Sequence, residues 1–190
     1  MEIIFENKKC ESPEVSFILL DWSCRESFHM LQYLDRQTVP RDQYEVIWIE
    51  YYGRRSPELK AILAECEKSG TPPSIDRWIV LDIPDNVYYH KHLMYNVGIV
   101  SSRGRIVTIC DSDVMVRPTL VESIIHAFDM DKNPDYVPQA GMVLHLDEVR
   151  SVSRKYYPFN YPDFEDIEKN ECINWKDKTT TGLLKNENPI

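Results

Sequence analysis

Runs of apolar β-forming residues alternate with segments of helical periodicity from residue 15 to residue 128, and this alternation constrains the fold more than any other feature. Four strands are predicted at 15–21, 44–52, 77–83 and 105–111, and a fifth at 141–147. Continuous apolar runs such as VSFILLD are typical of strands covered on both faces. Repeated strand and helix indicate right-handed βαβ units. The sequence therefore predicts an α/β fold with a parallel sheet.

Local signals mark the predicted helices. An S-x-x-E capping box spans residues 23–26 and predicts a helix directly after the first strand. Ser56-Pro57 opens a second helix, which Ser69-Gly70 closes. A third helix is predicted from an apolar stripe that Gly104 would cap at its C-terminal end; the stripe consists of Leu93, Met94, Val97 and Val100.

Composition changes near residue 151 and predicts two regions. Residues 1–150 carry the strand and helix pattern, and we expect them to form one α/β domain. Residues 151–190 are polar, interrupted by prolines and weakly periodic. A long stretch without clear elements is uncommon in a compact domain. We therefore expect residues 151–190 to form an irregular C-terminal extension: a functional loop, a disordered tail, or the start of a region that has been cut off.

The charge balance excludes some partners. The chain has 22 Lys and Arg against 31 Asp and Glu, a net charge of −9, whereas binding to nucleic acid needs clustered basic charge. No segment approaches the ~20 apolar residues of a membrane span, and the N-terminal residues lack a signal-peptide pattern. The five cysteines are an odd number, lie far apart and show no C-x-x-C spacing, which favours small buried hydrophobic residues in a reducing cytosol. We expect no nucleic-acid partner, no membrane span and a cytoplasmic location.

Acidic residues lie at the ends of the predicted strands. They are Asp21, Glu50, Asp82 and Asp111, with Asp113 two positions further on. Each one by itself is also explained by turn formation, because Asp is common where a strand gives way to a turn. As a set they are suggestive, because open parallel sheets bind ligands beyond the carboxyl ends of their strands.

The pair Asp111 and Asp113 predicts a divalent metal site. In an extended segment, residues two apart point the same way, so both carboxylates would face one ligand. Two carboxylates suit Mg²⁺ or Mn²⁺, which bind proteins through one or two carboxylates together with a substrate's phosphates. The metal would bridge the pair to a diphosphate and stabilise its charge.

Three stretches, VSFILLDWS, QTVPRDQYEVIWIEYY and YNVGIVSSRGRIVTICDSD, resemble the nucleotide-binding half of family 2 glycosyltransferases. The resemblance covers roughly residues 15–128, and its most specific part runs from Asn96 to Asp113. It implies the GT-A (Rossmann-like) fold, a three-layer sandwich with a mostly parallel sheet. It also implies a nucleoside-diphosphate sugar as donor, with uridine or guanosine as the nucleoside, and Mn²⁺ or Mg²⁺ as cofactor.

The resemblance also implies roles for individual residues. Trp22 would flank the base, and Glu50 or Tyr51 would lie at its edge. Asp111 would lie near the ribose and the metal, with Asp113 as the direct metal ligand. The complete set of implied nucleotide-binding residues is Asp21, Trp22, Glu50, Tyr51, Asn96 and Asp111.

The sequence departs from the family pattern at two places. Glu50 and Tyr51 stand where the family usually has two consecutive aspartates. Tyr95 stands where the family usually has an arginine, and three basic or titratable residues lie one turn earlier, where they would supply the missing positive charge or simply start a helix. These three are His90, Lys91 and His92.

The leading hypothesis is a metal-dependent glycosyltransferase with an unknown acceptor. No acidic residue after Asp113 is singled out as a general base by its spacing. The alternative is a non-catalytic module that binds nucleotide and metal, or a partner. The oligomeric state stays open, because a truncated GT-A domain would expose apolar surface that a second copy of the chain would cover. Three other classes are disfavoured. A nucleotidyltransferase would carry a glycine-rich basic loop after the first strand, where this chain has DWSCRES. A dehydrogenase would carry G-x-G-x-x-G and a P-loop NTPase would carry G-x-x-x-x-G-K-[ST], and neither motif occurs.

Overall fold

A computed structural model describes residues 1–7, 11–21, 28–112, 114, 116–129, 148–149 and 183–184 of the chain. The chain divides into two compact units, Met1–Ala127 and Phe128–Ile190. The first unit contains five strands and four helices among the described residues. Its strands are β1 (Glu2–Glu6), β2 (Val15–Leu20), β3 (Tyr44–Tyr52), β4 (Arg77–Ile83) and β5 (Ile106–Cys110); its helices are α1 (His29–Leu34), α2 (Pro57–Ser69), α3 (Lys91–Ser101) and α4 (Leu120–Ala127), with a 3₁₀ turn at Arg41–Gln43.

The strands of the first unit form one sheet in the order β1-β4-β3-β2-β5. The strands β4, β3, β2 and β5 run parallel, and β1 pairs antiparallel with β4. Every residue of β2 is buried, as its apolar sequence predicts for a strand inside a covered sheet. The predicted α/β class and the mostly parallel sheet are therefore confirmed.

Helices cover both faces of this sheet. On one face, Met94 of α3 packs in a buried cluster with side chains of β2, β3 and β4. On the other face, Phe28 at the start of α1 stacks on Trp48 of β3, with ring centroids 5.2 Å apart. Trp48 and Trp78 are neighbours on adjacent strands and are both almost completely buried. The result is three layers with an apolar core on each side of the sheet.

The strand β1 is absent from the sequence prediction, in which the first strand begins at residue 15. Two ion pairs hold it against the rest of the sheet: Arg55 Nη2 lies 2.8 Å from Glu2 Oε2, and Arg77 Nη2 lies 2.9 Å from Glu6 Oε1. The apolar run of β1 is short and its ends are acidic, so the sequence carries a weak strand signal. Pairing with the edge of β4 decides its conformation.

The helix α2 begins and ends where the sequence predicts. The Ser56 hydroxyl accepts a hydrogen bond from the backbone N–H of Leu59 at 3.3 Å, and Pro57 occupies the first helical position. Gly70 ends the helix in the left-handed conformation with φ of 69°, which costs glycine little. Among the apolar side chains of α2, Leu59 is fully buried, whereas Ile62, Leu63 and Cys66 are half-buried.

The helix α3 differs from its prediction. Leu93 and Val100 of the predicted apolar stripe are exposed, and the buried residues are Met94 and Gly98. The helix ends at Ser101 with Ser102 as its cap, so Gly104 is not the cap. Gly104 instead donates its backbone N–H to the Ser16 hydroxyl at 2.8 Å, and a Cβ at Gly104 would lie 2.6 Å from that oxygen. Gly98 and Gly104 thus both allow the chain to pack closely against β2.

Gly98→Val is expected to lower the free energy of unfolding by about 1–3 kcal/mol, the cost of overpacking a filled core. A Cβ at Gly98 would lie 2.4 Å from Cγ2 of Ile18, a fully buried residue of β2. Val100→Ala on the same helix is the control, with a change within about 0.5 kcal/mol, because Val100 is 87% exposed. Denaturant unfolding measures both, and equal effects would contradict the packing argument.

The second unit is described only over Phe128, Asp129 and two short strands, β6 (Glu148–Val149) and β7 (Leu183–Leu184). These two strands pair antiparallel. The predicted strand at 141–147, the predicted boundary at residue 150, the remainder of the predicted extension and the capping box at 23–26 lie outside the described residues. Within the described part of the chain, no helix is long and apolar enough to cross a membrane.

Candidate functional site

The strand order identifies one edge of the sheet as a candidate site. From β2 the chain proceeds through β3 to β4 on one side, and then returns through α3 to β5 on the other side of β2. The order of the parallel strands therefore reverses between β2 and β5. In open α/β sheets, ligands bind beyond the carboxyl ends of the strands at such a switch point. The residues that follow β2 and β5 are Asp21 and Asp111.

Asp21 is buried at the end of β2. Its backbone N–H donates to the carbonyl oxygen of Ile49 at 2.8 Å, which continues the pairing of β2 with β3. Its carbonyl oxygen accepts a hydrogen bond from the Tyr89 hydroxyl at 2.8 Å. The loop before α3 is thereby tied to the end of β2, on the β2 side of the switch point.

Asp111, at the end of β5, is paired with a cation. Its Oδ1 accepts a hydrogen bond from Lys91 Nζ at 2.9 Å and is 3.5 Å from the Tyr95 hydroxyl. The Lys91 ammonium also lies 5.4 Å from the centroid of the Tyr95 ring. Lys91 and Tyr95 are one turn apart on α3, and both therefore reach Asp111 from the same helix face.

The ionisation of this cluster follows from its surroundings. Burial lowers the pKa of Lys91, but hydrogen bonds with Asp111 and Tyr95 outweigh it and the pKa is raised overall. Burial raises the pKa of Tyr95, and the nearby Lys91 opposes part of that rise. At neutral pH the cluster therefore consists of a protonated lysine, a neutral tyrosine and the Asp111 carboxyl group.

A turn follows Asp111. The N–H of Val114 donates to the carbonyl oxygen of Asp111 at 3.4 Å, the spacing of a β-turn hydrogen bond. That Asp111 and Asp113 face one ligand stays a prediction. Asp113 itself lies outside the described residues, so its role as a metal ligand stays a prediction. Asp111 is both the first residue of a turn and the partner of Lys91.

Tyrosines hold the loop that precedes α3. The Tyr51 hydroxyl donates to the carbonyl oxygen of Tyr88 at 2.8 Å, and the Tyr52 hydroxyl donates to that of Val87 at 3.0 Å. The Tyr51 and Tyr89 rings meet edge to face with centroids 5.2 Å apart. Tyr51, which was predicted to lie at the edge of the nucleotide base, is thus fully buried and holds the loop in place. The Tyr88 side chain is 83% exposed.

Glu50 and Asp82, at the ends of β3 and β4, contact the connection between β3 and α2. Both carboxylate oxygens of Glu50 accept backbone hydrogen bonds, from Arg55 at 2.8 Å and Ser56 at 2.9 Å. The Asp82 carboxylate lies 3.4 Å from Arg55 Nη1. These acids hold the start of α2, and this geometry accounts for Glu50 without a ligand. Its predicted contact with a base is untested.

The other predicted site residues are exposed or lie outside the described residues. Asn96 is exposed on α3 beside Tyr95. Trp22 lies outside the described residues. His90 is the residue before α3, where its side chain makes no capping hydrogen bond, and His92 is exposed. Within the described ranges, no group of three or more His, Cys, Asp or Glu side chains is arranged to hold a metal ion.

Comparisons with known proteins give likenesses of backbone shape. No protein-family model and no curated protein matches the chain. The crystal structure of S. aureus TarS 1-349 in complex with UDP-GlcNAc is similar at 17% identity and a TM-score of 0.46, over 67% of this chain and 37% of that one. The crystal structure of S. aureus TarS 1-349 is similar at 16% identity and a TM-score of 0.47, over 75% and 43%. The chain thus spans less than half the length of these structures.

Sequence reasoning located the acids of this edge but left the role of Lys91 undecided among three neighbouring residues. The contact between Lys91 and Asp111 joins two residues 20 positions apart. One feature of the sequence could have indicated this contact. Lys91 is the first residue of α3, whose amino end approaches the carboxyl edge of the sheet. Only the direction of α3 relative to β5 singles out Lys91.

Proposed function

We propose that this chain binds a nucleoside-diphosphate sugar at the edge between β2 and β5 and transfers the sugar to an acceptor hydroxyl, as a metal-dependent glycosyltransferase of family 2 with the GT-A fold. The observation that carries the proposal is the switch point between β2 and β5, with Asp21 and Asp111 at the adjoining strand ends. The sequence resemblance supplies the substrate class.

The donor set suits a hard divalent cation. The side chain of Asp111 is 41% exposed, so ligands from solvent can reach it, and carboxylate oxygens are preferred by Mg²⁺ and Mn²⁺. Asp111 and Asp113 would hold the ion, which would neutralise charge on the departing diphosphate. The amino end of α3 adds positive potential at the same edge, which favours the negatively charged diphosphate.

The other predicted residues have supporting roles in this proposal. Asp21 and Trp22 would border the nucleoside after β2. Tyr51 would position the loop of residues 84–90 through its hydrogen bond to Tyr88, and Glu50 would position the start of α2. Asn96 would border the diphosphate from the exposed side of α3.

Nucleotide binding tests the proposal. Titration calorimetry with UDP and GDP, each with and without Mn²⁺, is expected to show binding of one nucleotide that requires the metal. Asp113→Ala is expected to weaken that binding at least about tenfold, a loss of about 1.4 kcal/mol. Glu67→Ala is the control, because it removes one exposed carboxylate from α2.

The outcomes separate the two hypotheses that the sequence left open. If neither UDP nor GDP binds when Mn²⁺ is present, the proposal is contradicted. Metal-dependent binding followed by sugar transfer from the matching donor to a hydroxyl acceptor would establish a transferase. Metal-dependent binding without transfer across a panel of hydroxyl acceptors would identify the non-catalytic module.

A further inference from the structure

A groove of about 550 Å³ lies between α2 and β1, beside the first residues of β4. It therefore lies towards the amino ends of the parallel strands, away from the edge that carries Asp21 and Asp111. The lining residues that matter below come from β1 and from one side of α2, and they are Ile4, Phe5, Lys60, Leu63, Ala64 and Glu67.

The apolar side chains of this groove are incompletely covered. Ile4, Phe5 and Leu63 are half-buried, and Ala64 is exposed. The register between β1 and β4 shifts between Ile3 and Phe5, as at a β-bulge, and both Ile4 and Phe5 line the groove. Successive residues of a regular strand would point to opposite faces. Apolar surface gathered in this way gains free energy when a partner removes it from water.

Four of the α2 residues in the groove form a stripe with opposite charges at its ends. Lys60, Leu63, Ala64 and Glu67 follow the spacing i, i+3, i+4, i+7, which places them on one side of a helix. Lys60 and Glu67 are exposed, and within the described part of the chain neither side chain forms an ion pair. Seven residues separate them by about 10 Å along the helix axis, so they do not pair with each other.

The α2 stripe is complementary to itself in the antiparallel direction. When two copies of α2 cross midway between Leu63 and Ala64, Lys60 of one copy and Glu67 of the other lie at the same height, about 5 Å along the axis from the crossing point. The same pairing occurs a second time on the other side of that point. The small side chain of Ala64 lets the two helix axes approach. A two-fold axis produces this arrangement, because it brings the same surface of both subunits together.

We propose that two copies of this chain associate through α2 as a two-fold symmetric dimer, in which Lys60 of each copy pairs with Glu67 of the other. Leu63 and Ala64 of each copy then cover the groove of the other. The charges favour a second copy over a small ligand, because a ligand would need opposite charges about 10 Å apart, the spacing that α2 itself provides. This inference is independent of the proposed function.

Charge reversal tests the dimer. Sedimentation equilibrium of the full chain, from low micromolar to several hundred micromolar, is expected to show an average mass that rises from 22.4 kDa towards twice that value. Lys60→Glu and Glu67→Lys are each expected to raise the dimer dissociation constant at least about tenfold, because each variant replaces two attractive pairs with two repulsive ones. Glu67→Lys also lowers the net negative charge of the chain, which by itself would favour association.

Complementary charges restore the contact when the two variants are combined. In an equimolar mixture of Lys60→Glu and Glu67→Lys, both pairs are again attractive, so a heterodimer is expected with about the wild-type dissociation constant. The double variant Lys60→Glu/Glu67→Lys is expected to dimerise in the same way. Glu65→Lys is the matched control, because Glu65 is 70% exposed on α2 and lies outside the stripe. Thermal unfolding of each variant checks that the fold is retained.

Each outcome supports or overturns the dimer. Loss of association in both single variants with recovery in the mixture supports it. A wild type that stays monomeric at every concentration overturns it, and the groove then belongs to another partner. Single variants that associate like the wild type, or a mixture that stays monomeric, also overturn it. An equal loss in Glu65→Lys would show that the α2 stripe is not the contact.

Discussion

Asp76→Ala is expected to lower the free energy of unfolding by about 3–5 kcal/mol, the cost of breaking a buried ion pair from one side. The Asp76 side chain is completely buried and lies 2.6 Å from Arg41 Nη2. The same carboxylate accepts hydrogen bonds from the Val46 backbone N–H and the Asn7 side chain, both at 2.8 Å. Truncation leaves Arg41, whose side chain is 18% exposed, without its carboxylate partner.

An exposed ion pair on α2 provides the matched control for Asp76. Glu65 Oε2 lies 3.7 Å from Lys68 Nζ, and the two side chains are 70% and 80% exposed. Glu65→Ala is expected to change the free energy of unfolding by less than about 1 kcal/mol, as for most surface pairs. Urea unfolding followed by tryptophan fluorescence measures both variants. A loss below about 1 kcal/mol for Asp76→Ala would show that Arg41 regains solvent contact at little cost.

Glu45→Ala is expected to lower the free energy of unfolding by about 3 kcal/mol, near the lower end of the range for a broken buried pair. Glu45 is fully buried on β3. Its Oε1 accepts hydrogen bonds from the Ser16 hydroxyl and the Arg103 backbone N–H, both at 2.6 Å, and its Oε2 lies 3.0 Å from Arg103 Nε. These contacts attach the connection between α3 and β5 to the start of β2 and β3.

A double-mutant cycle isolates the part of this effect that belongs to the ion pair. Because Glu45 and Arg103 are in direct contact, the losses in Glu45→Ala and Arg103→Ala are expected to deviate from additivity by roughly 0.5–3 kcal/mol in the double variant. Additive losses would mean that the backbone and Ser16 contacts carry the effect. The Arg103 side chain is 26% exposed, so we expect the Arg103→Ala loss to be the smaller one.

Asp111 differs from the other acidic residues at the ends of the sheet. At the amino end, Glu45 and Asp76 are fully buried and satisfied by arginine side chains and backbone N–H groups. At the carboxyl end, Glu50 is likewise buried and accepts backbone hydrogen bonds, whereas Asp111 is 41% exposed and pairs with Lys91. Buried acids that are fully hydrogen-bonded hold the fold together. An exposed carboxylate beside a switch point is available to a ligand, and this contrast favours the carboxyl edge as the functional one.

The segment from Asn96 to Asp113, the most specific part of the family resemblance, has a structural explanation at some of its positions. Gly98 permits α3 to approach Ile18, and Gly104 permits its loop to approach Ser16. Ser102 donates from its hydroxyl to the Ile99 carbonyl oxygen at 2.7 Å. Packing accounts for the two glycines and a local hydrogen bond for Ser102, and ligand chemistry remains the hypothesis for Asp111 and Asp113. The substitutions at Gly98 and Asp113 test the two explanations separately.

The sequence by itself determined the four parallel strands and the extent of α2, because these depend on local pattern: apolar β-forming runs, a serine cap, and a glycine after the last turn. It also located acids at the strand ends. Tertiary structure alone decided that β1 joins the edge of β4, that Leu93 and Val100 are exposed, and that Lys91 meets Asp111. Each of these depends on contacts between residues far apart in the chain, and local periodicity carries no information about which distant element becomes the neighbour.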